Sequence, residues 1–215
     1  MMEPRPLILA IESGIAGGSV ALLSGADVVA TAVGDGLVSR AEELLPAIER
    51  LLGEAQTPIS SITSIAVSRG PGSFTGIRIG MSTSIGLARS LDVPCIGVSI
   101  FDAIKHSFAE PDIFIAVPIS RSDIAIGRTS SADSSVSAEI ADLARLTAII
   151  NEKAETRVIV HGSIFDSLAA ADRTPRVVSI GYDLASFLGR YALASPGSSL
   201  SPIYLQHPAK RGSLF

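Results

Sequence analysis

Apolar residues in this chain come in short blocks separated by glycine, proline and small polar residues, and the period within the blocks shifts along the sequence. "LILAIE" (Leu7 to Glu12), "SVALL" (Ser19 to Leu23) and "DVVATAV" (Asp27 to Val33) are strand-length runs, and they follow one another too closely to form anything but hairpins. The period then becomes helical. Leu44, Leu45, Ile48, Leu51 and Leu52 recur at helix spacing in "RAEELLPAIERLLGEA", behind a capping box of Ser39 and Glu42. Pro46 lies past the first turn and is expected to kink that helix. "TSIAVS" (Thr63 to Ser68) is a fourth strand, and a helix follows from about Thr75 to Leu91. "VPCIGVS" (Val93 to Ser99) is a fifth strand, after which Ser99 and Asp102 cap a helix ending near Phe108. The order of this half is βββαβαβα.

The second half repeats that order less clearly. "DIFIAVPI" (Asp112 to Ile119) and "DIAIGRT" (Asp123 to Thr129) flank the turn "SRS" as a hairpin. A Ser- and Asp-rich link leads to a helix over "AEIADLARLTAIINE" (138–152), a strand "TRVIVHG", a helix "SIFDSLAAA" (163–171), a strand "RVVSI" and a helix "YDLASFLGRYALA" (182–194). Two halves of matching order predict a duplicated α/β fold with two lobes, 1–108 and 109–215, divided near Glu110 and Pro111.

Composition narrows the function more than the fold. In 215 residues, 47% hydrophobic content supplies a core of ordinary size, and no run approaches the length of a membrane span. The start "MMEPRPLILAIESG" lacks the form of a signal peptide, and the single Cys95 cannot form an internal disulfide, so a cytoplasmic, reduced setting is expected. A net charge of −4 argues against unaided binding to nucleic acid, where Lys and Arg must neutralise phosphates.

Two stretches are candidates for chemistry. The first is "SRGPGSFTGIRIG" (Ser68 to Gly80), a glycine-rich loop between strand and helix, which is the setting of an anion cradle. Its spacing is wrong for that. Gly70 to Gly76 is one residue too long for a P-loop and is followed by Ile77 in place of lysine, while Gly70, Gly72 and Gly76 read GxGxxxG and miss the dinucleotide pattern. A plain turn accounts for Gly70 to Gly72 but leaves Gly76, Gly80, Thr83 or Ser84 and Leu87 on one stripe of a helix, with Gly86 beside it. Mid-helix glycines cost about 0.5–1 kcal/mol each relative to alanine, so a bare stripe implies a close neighbour, in this fold or in a second chain. Arg78 and Arg89 lie off the stripe as solvated residues. The second stretch is "AIESGIAGGSVAL", in which a strand-terminal carboxylate, Glu12, precedes Ser13 and Gly14. This is the outline of a hairpin phosphate loop and equally of an ordinary turn. His106, His161 and His207 are far apart with no HxxxH or HExxH pairing, no GxSxG elbow occurs, and His161 reads as a satisfied structural histidine. No metal and no catalytic residue is expected.

Taken together, "SRGPGSFTGIRIG", "GLARSLDVPCIGVS", "ILAIESGIAGGSVALL", the "LLP" of the first helix and "PIYLQ" (Pro202 to Gln206) resemble the bacterial TsaB (YeaZ) family, densely over Leu7 to Phe101 and again at the tail. The resemblance implies an actin-like (ASKHA) fold. It further implies a non-catalytic scaffold and dimerisation subunit that pairs with its catalytic paralogue TsaD. With the ATPase TsaE, that partner transfers threonylcarbamoyl to the anticodon-adjacent adenosine of tRNA, so tRNA would be met only through the complex. A homodimer through the same surface is also implied. The carried-over interface comprises Leu44, Leu45, Ile48, Ser73, Phe74, Thr75, Gly76, Ile77, Gly80, Thr83, Ser84 and Leu87. On this view Gly80→Leu would block pairing and leave the fold intact. No cofactor is expected beyond weak ATP or ADP with Mg at Glu12, Ser13 and Gly14. Three departures bear on this: Glu12 stands where the family has Asp, Arg40 where a histidine is common, and "ISR" replaces "DAR", leaving Arg121 without the acid at Ile119. The rival reading is an independent actin-like ATP-binding enzyme or a metallopeptidase-like hydrolase.

Overall fold

The computed structural model describes residues 5–15, 17–34, 40–108, 110–130, 133–153, 155–195 and 199–205. The first half contains β1 (Leu7–Glu12), β2 (Ser19–Ser24), β3 (Asp27–Val33), α1 (Arg40–Glu54), β4 (Ser64–Gly70), α2 (Phe74–Leu91), β5 (Cys95–Ser99) and α3 (Ile100–Phe108). The second contains β6 (Ile113–Pro118), β7 (Ile124–Ser130), β8 (Asp133–Ala141), α4 (Leu143–Glu152), β9 (Arg157–Val160), α5 (Gly162–Ser167), β10 (Val177–Ser179) and α6 (Ala185–Ala194). Both halves are βββαβαβα. Their sheets are ordered β3-β2-β1-β4-β5 and β8-β7-β6-β9-β10, so each antiparallel meander continues into a parallel pair in the same way. This repetition is the two-lobed α/β architecture that the element order predicted, and it agrees with the actin-like fold that the family resemblance implied.

Alternation along the strands divides the core into layers, because successive side chains point to opposite faces. In β1, Leu9 and Ile11 turn outward under α1 and α2 with Leu44, Ile48, Leu51 and Ile77. Ile8 and Ala10 turn inward, into a cluster continuous with Ile100, Phe101 and Ile104 of α3, Leu188 of α6, and Ile115, Val117 and Ile159 of the second sheet. Helix α4 covers the far face of that second sheet through Leu146, Ile149 and Ile150. The order of layers is therefore helix, sheet, helix, sheet, helix.

The last helix does not stay with its own half. Helix α6 packs on the inner face of the first sheet, where the Ser19 hydroxyl accepts the Ala185 N–H at 3.0 Å. The chain beyond it then crosses the ends of β4 and β5, with the Ile203 N–H donating to the Arg69 carbonyl at 2.7 Å.

Three expectations about element bounds need correction. The helix expected from Ala138 begins at Leu143, because residues up to Ala141 pair antiparallel with β7 and Asp142 caps the helix by accepting the Arg145 N–H at 2.8 Å. The helix expected over 163–171 ends at Ser167 and is followed by a separate 3-10 turn, Ala170–Asp172. The helix expected from Tyr182 starts at Ala185. Ser39 of the capping box lies outside the described residues, as do Gln206 and His207. No helix among the described residues is long and apolar enough to cross a membrane.

Leu188 is fully buried between α6 and the first sheet. Leu188→Ala should destabilise the protein by about 2–5 kcal/mol and shift unfolding of the first lobe, although the residue belongs to the second half; urea denaturation with a reporter in each lobe measures this.

Candidate functional site

The two glycine-rich stretches of the sequence form one structural unit. The turn after β1, Ser13–Gly14, lies directly on the first two turns of α2. The Ser13 hydroxyl donates to the Gly76 carbonyl at 2.8 Å, and the Ser73 N–H donates to the Gly14 carbonyl at 2.7 Å. Ser73 also caps α2, its hydroxyl accepting the Gly76 N–H at 3.2 Å. A Cβ on Gly76 would lie 2.1 Å from the Ser13 carbonyl oxygen, and one on Gly80 would lie 2.2 Å from the Ser13 hydroxyl. The bare stripe of α2 therefore admits a backbone segment of this same chain.

Burial divides the residues expected at the interface. Gly76, Ile77, Gly80 and Ser84 are buried, as are Leu44 and Ile48 of α1. All six are packed inside this chain. Ser73, Thr83 and Leu87 are half-buried and Thr75 is exposed. The large apolar side chains that face solvent on the two adjacent helices are Leu45, 53% exposed, and Phe74, 56% exposed. Arg78 and Arg89 are exposed, as expected. Arg78 lies over the Phe74 ring at 4.9 Å, and Tyr204 of the crossing tail packs on the same ring, centroids 5.0 Å apart. The sequence offered one signal for Tyr204, the "PIYLQ" match, but nothing that placed it beside Phe74.

Glu12 ends β1 and is 2% exposed. Its Oε1 accepts the N–H groups of Gly14 at 2.6 Å and Ile15 at 2.9 Å, the donors that a phosphate loop would offer. Beside it, between the hairpin and α1, lies a cavity of about 330 Å3 lined by Glu12, Ser13, Gly17, Gly18 and Ser19 on one side and Glu43, Leu44, Ala47 and Arg50 on the other. Among the described residues no group of three His, Cys, Asp or Glu side chains could hold a metal ion. Burial pushes the Cys95 thiol up to about 11, which leaves it protonated and unreactive near neutrality.

His161 caps α5 from the end of β9. Its Nδ1 accepts from the Ser163 N–H at 3.3 Å and lies 2.8 Å from the Ser163 hydroxyl, while the Tyr182 ring meets it edge-on. Burial lowers its pKa to about 4, against a smaller upward pull from the Tyr182 backbone and Asp166. The imidazole is neutral and structural.

Gly76→Ala should cost roughly 3 kcal/mol because backbone must move, whereas Gly86→Ala, with open space at its Cβ position, should stabilise α2 by about 0.5–1 kcal/mol; thermal or urea denaturation of the two variants decides. Between pH 6.5 and about 4 the unfolded chain binds a proton at His161 that the folded chain excludes. Stability should therefore fall by up to about 3 kcal/mol as pH drops through that window, and by less in His161→Asn, as measured by denaturation at a series of pH values.

Residues 37–120 match the family model described as TsaD, tRNA N6-adenosine threonylcarbamoyltransferase. The tRNA threonylcarbamoyladenosine biosynthesis protein TsaB of Escherichia coli is 43% identical over 58 residues, 27% of this chain and 25% of that protein. The TsaB protein of Bacillus subtilis is 33% identical over 97 residues, 45% of this chain and 42% of that one. The chain thus spans between a quarter and about two-fifths of the length of these relatives. In structure, YeaZ from Pseudomonas aeruginosa superposes with a TM-score of 0.62 at 23% identity, covering 93% of this chain and all of that one. The chain is thus similar over part of its length to TsaB sequences, and its whole fold is similar to that of YeaZ.

Proposed function

We propose that this protein is a non-catalytic subunit in tRNA threonylcarbamoyladenosine biosynthesis that docks a TsaD-type partner through the outer faces of α1 and α2. The observation that carries the reading is the pair of exposed apolar side chains, Leu45 and Phe74, on these adjacent helices. Both belong to the surface that the family resemblance assigns to pairing. The TsaB relatives, named for threonylcarbamoyladenosine biosynthesis, and the TsaD-type match over residues 37–120 support the choice of pathway and partner.

The docking surface consists of what α2 leaves over after seating the hairpin turn. Phe74 is held by Tyr204 on one side and Arg78 on another, so it enters an interface with little rotamer freedom left to lose. The apolar anchors sit beside polar residues, Thr75, Arg78 and Ser82, in the usual pattern of an interface centre with a hydrated rim. TsaE, a homodimer and tRNA held in the complex belong to the same reading. In the rival enzyme reading, Glu12 would serve a metal or nucleotide, and its engagement by two backbone N–H groups of its own turn weighs against that.

Phe74→Ala and Leu45→Ala should each weaken binding to TsaD by about 2 kcal/mol, roughly thirty-fold, without lowering the melting temperature of the isolated chain. Calorimetry with purified TsaD, alongside reconstituted tRNA modification, measures this. Undiminished affinity in the double variant would remove the α1–α2 face from the interface.

A further inference from the structure

The outward side of α2 carries charge of one sign only. Its 18 residues include Arg78 and Arg89 but no Asp or Glu, in a chain whose net charge is −4. Both arginines are exposed, and about three turns of helix, a rise of roughly 16 Å, bring them into line on the flank that also holds Phe74. Ser82 and Gly86, exposed between them, are uncharged, and a Cβ at Gly86 would meet open space. Among the described residues neither arginine has an ion-pair partner. Arg89, in the last turn, suits the negative end of the helix dipole, but Arg78, in the second turn, has no such role. On α1 the sign is reversed. Glu49, one turn after Leu45, and Glu54 are exposed, while Arg50 is paired with Glu43 at 3.6 Å. Each solvent-facing apolar anchor is thus followed one turn later by a charge, positive on α2 and negative on α1.

We propose that Arg78 and Arg89 read the charge of the TsaD-type partner: the partner segment that lies on α2 presents carboxylates about 16 Å apart, one to each guanidinium. This rests on the docking reading above and adds to it the chemistry of the occupant and the side on which its acidic surface lies. Attraction between oppositely charged strips steers the encounter, and like-charge contact rejects the reversed orientation. A second copy of this chain fits α2 less well. Laid antiparallel on its own counterpart, α2 would bring Arg78 of one copy against Arg89 of the other at both ends, because the midpoint of the two positions nearly coincides with that of the helix. The arginines therefore favour a heterologous, acidic occupant over self-association through α2.

The test uses the full chain and purified TsaD, with affinities and association rates from surface plasmon resonance at about 0.05 and 0.5 M NaCl. Wild-type affinity should fall as salt rises. Arg78→Glu combined with Arg89→Glu should weaken binding at low salt by about tenfold or more, chiefly through slower association, and should flatten the salt dependence. Arg78→Lys combined with Arg89→Lys should retain most of the affinity. Arg78→Glu alone should lose part of it and, because the last turn of α2 is left intact, covers the case in which the double variant does not fold. Unchanged affinity in the folded charge-reversed variant, or wild-type binding indifferent to salt, overturns the inference, while Leu45→Ala and Phe74→Ala still judge the docking face separately. It is equally overturned if the reversed variant keeps its affinity for TsaD but associates with the wild-type chain in analytical ultracentrifugation, which marks a second copy as the occupant. A reversed variant that binds TsaD normally while the complex loses tRNA marks RNA as the occupant and overturns it too. No binding of the wild type to TsaD overturns both the docking reading and this inference.

Discussion

The seating of one backbone turn on one bare helix face organises the first lobe. Ser13 and Gly14 reach within bonding distance of Ser73 and Gly76, which is feasible only because α2 carries no side chain at 76 or 80 on that side. The contact joins the end of β1 to the start of α2, and its Ser13 and Gly76 are 63 residues apart in sequence. It also orients α2 about its own axis. With Gly76, Gly80 and Ser84 turned inward, Phe74, Arg78 and Arg89 must face solvent. The internal packing of the lobe and its exposed surface are thus two sides of one helix, and they cannot be changed independently.

Closure of the fold adds a second constraint. Helix α6 belongs to the second half by sequence but completes the inner layer of the first sheet, and the tail beyond it crosses back to Arg69 and Phe74. A single apolar cluster runs from β1 through α3 and α6 to β6 and β9. The lobes share a core, although each has its own sheet. The exposed aromatic pair, Phe74 and Tyr204, exists only because of this crossing, since its members come from different halves of the chain.

Element type was legible wherever the apolar period was clean: β1, β3 and α2 were each read from the sequence to within a residue of their observed bounds. It failed at Ala138–Ala141, where "AEIA" has good helix formers but serves as the end of β8. Pairing with β7 outweighed local propensity there, and the helix waited for the cap at Asp142. The glycine stripe was legible as a close approach, because glycines in mid-helix need a reason. Which backbone approached was not legible, since a turn of the same chain and a helix of another chain require the same bare stripe.

The sequence by itself determined the element order of the first half, most of its repetition in the second, the family resemblance and the residues at which α2 is bare. These depend on period, spacing and residue type, which are local properties. The tertiary structure alone decided what fills that bare face, where Glu12 directs its carboxylate, and which of the expected interface residues reach solvent. Each of those outcomes depends on distances between segments far apart in the chain, and a one-dimensional pattern does not contain them. Gly80 and Phe74 are six positions apart in one motif. One is closed by Ser13 and the other remains open, because the hairpin turn lies on one side of the helix only.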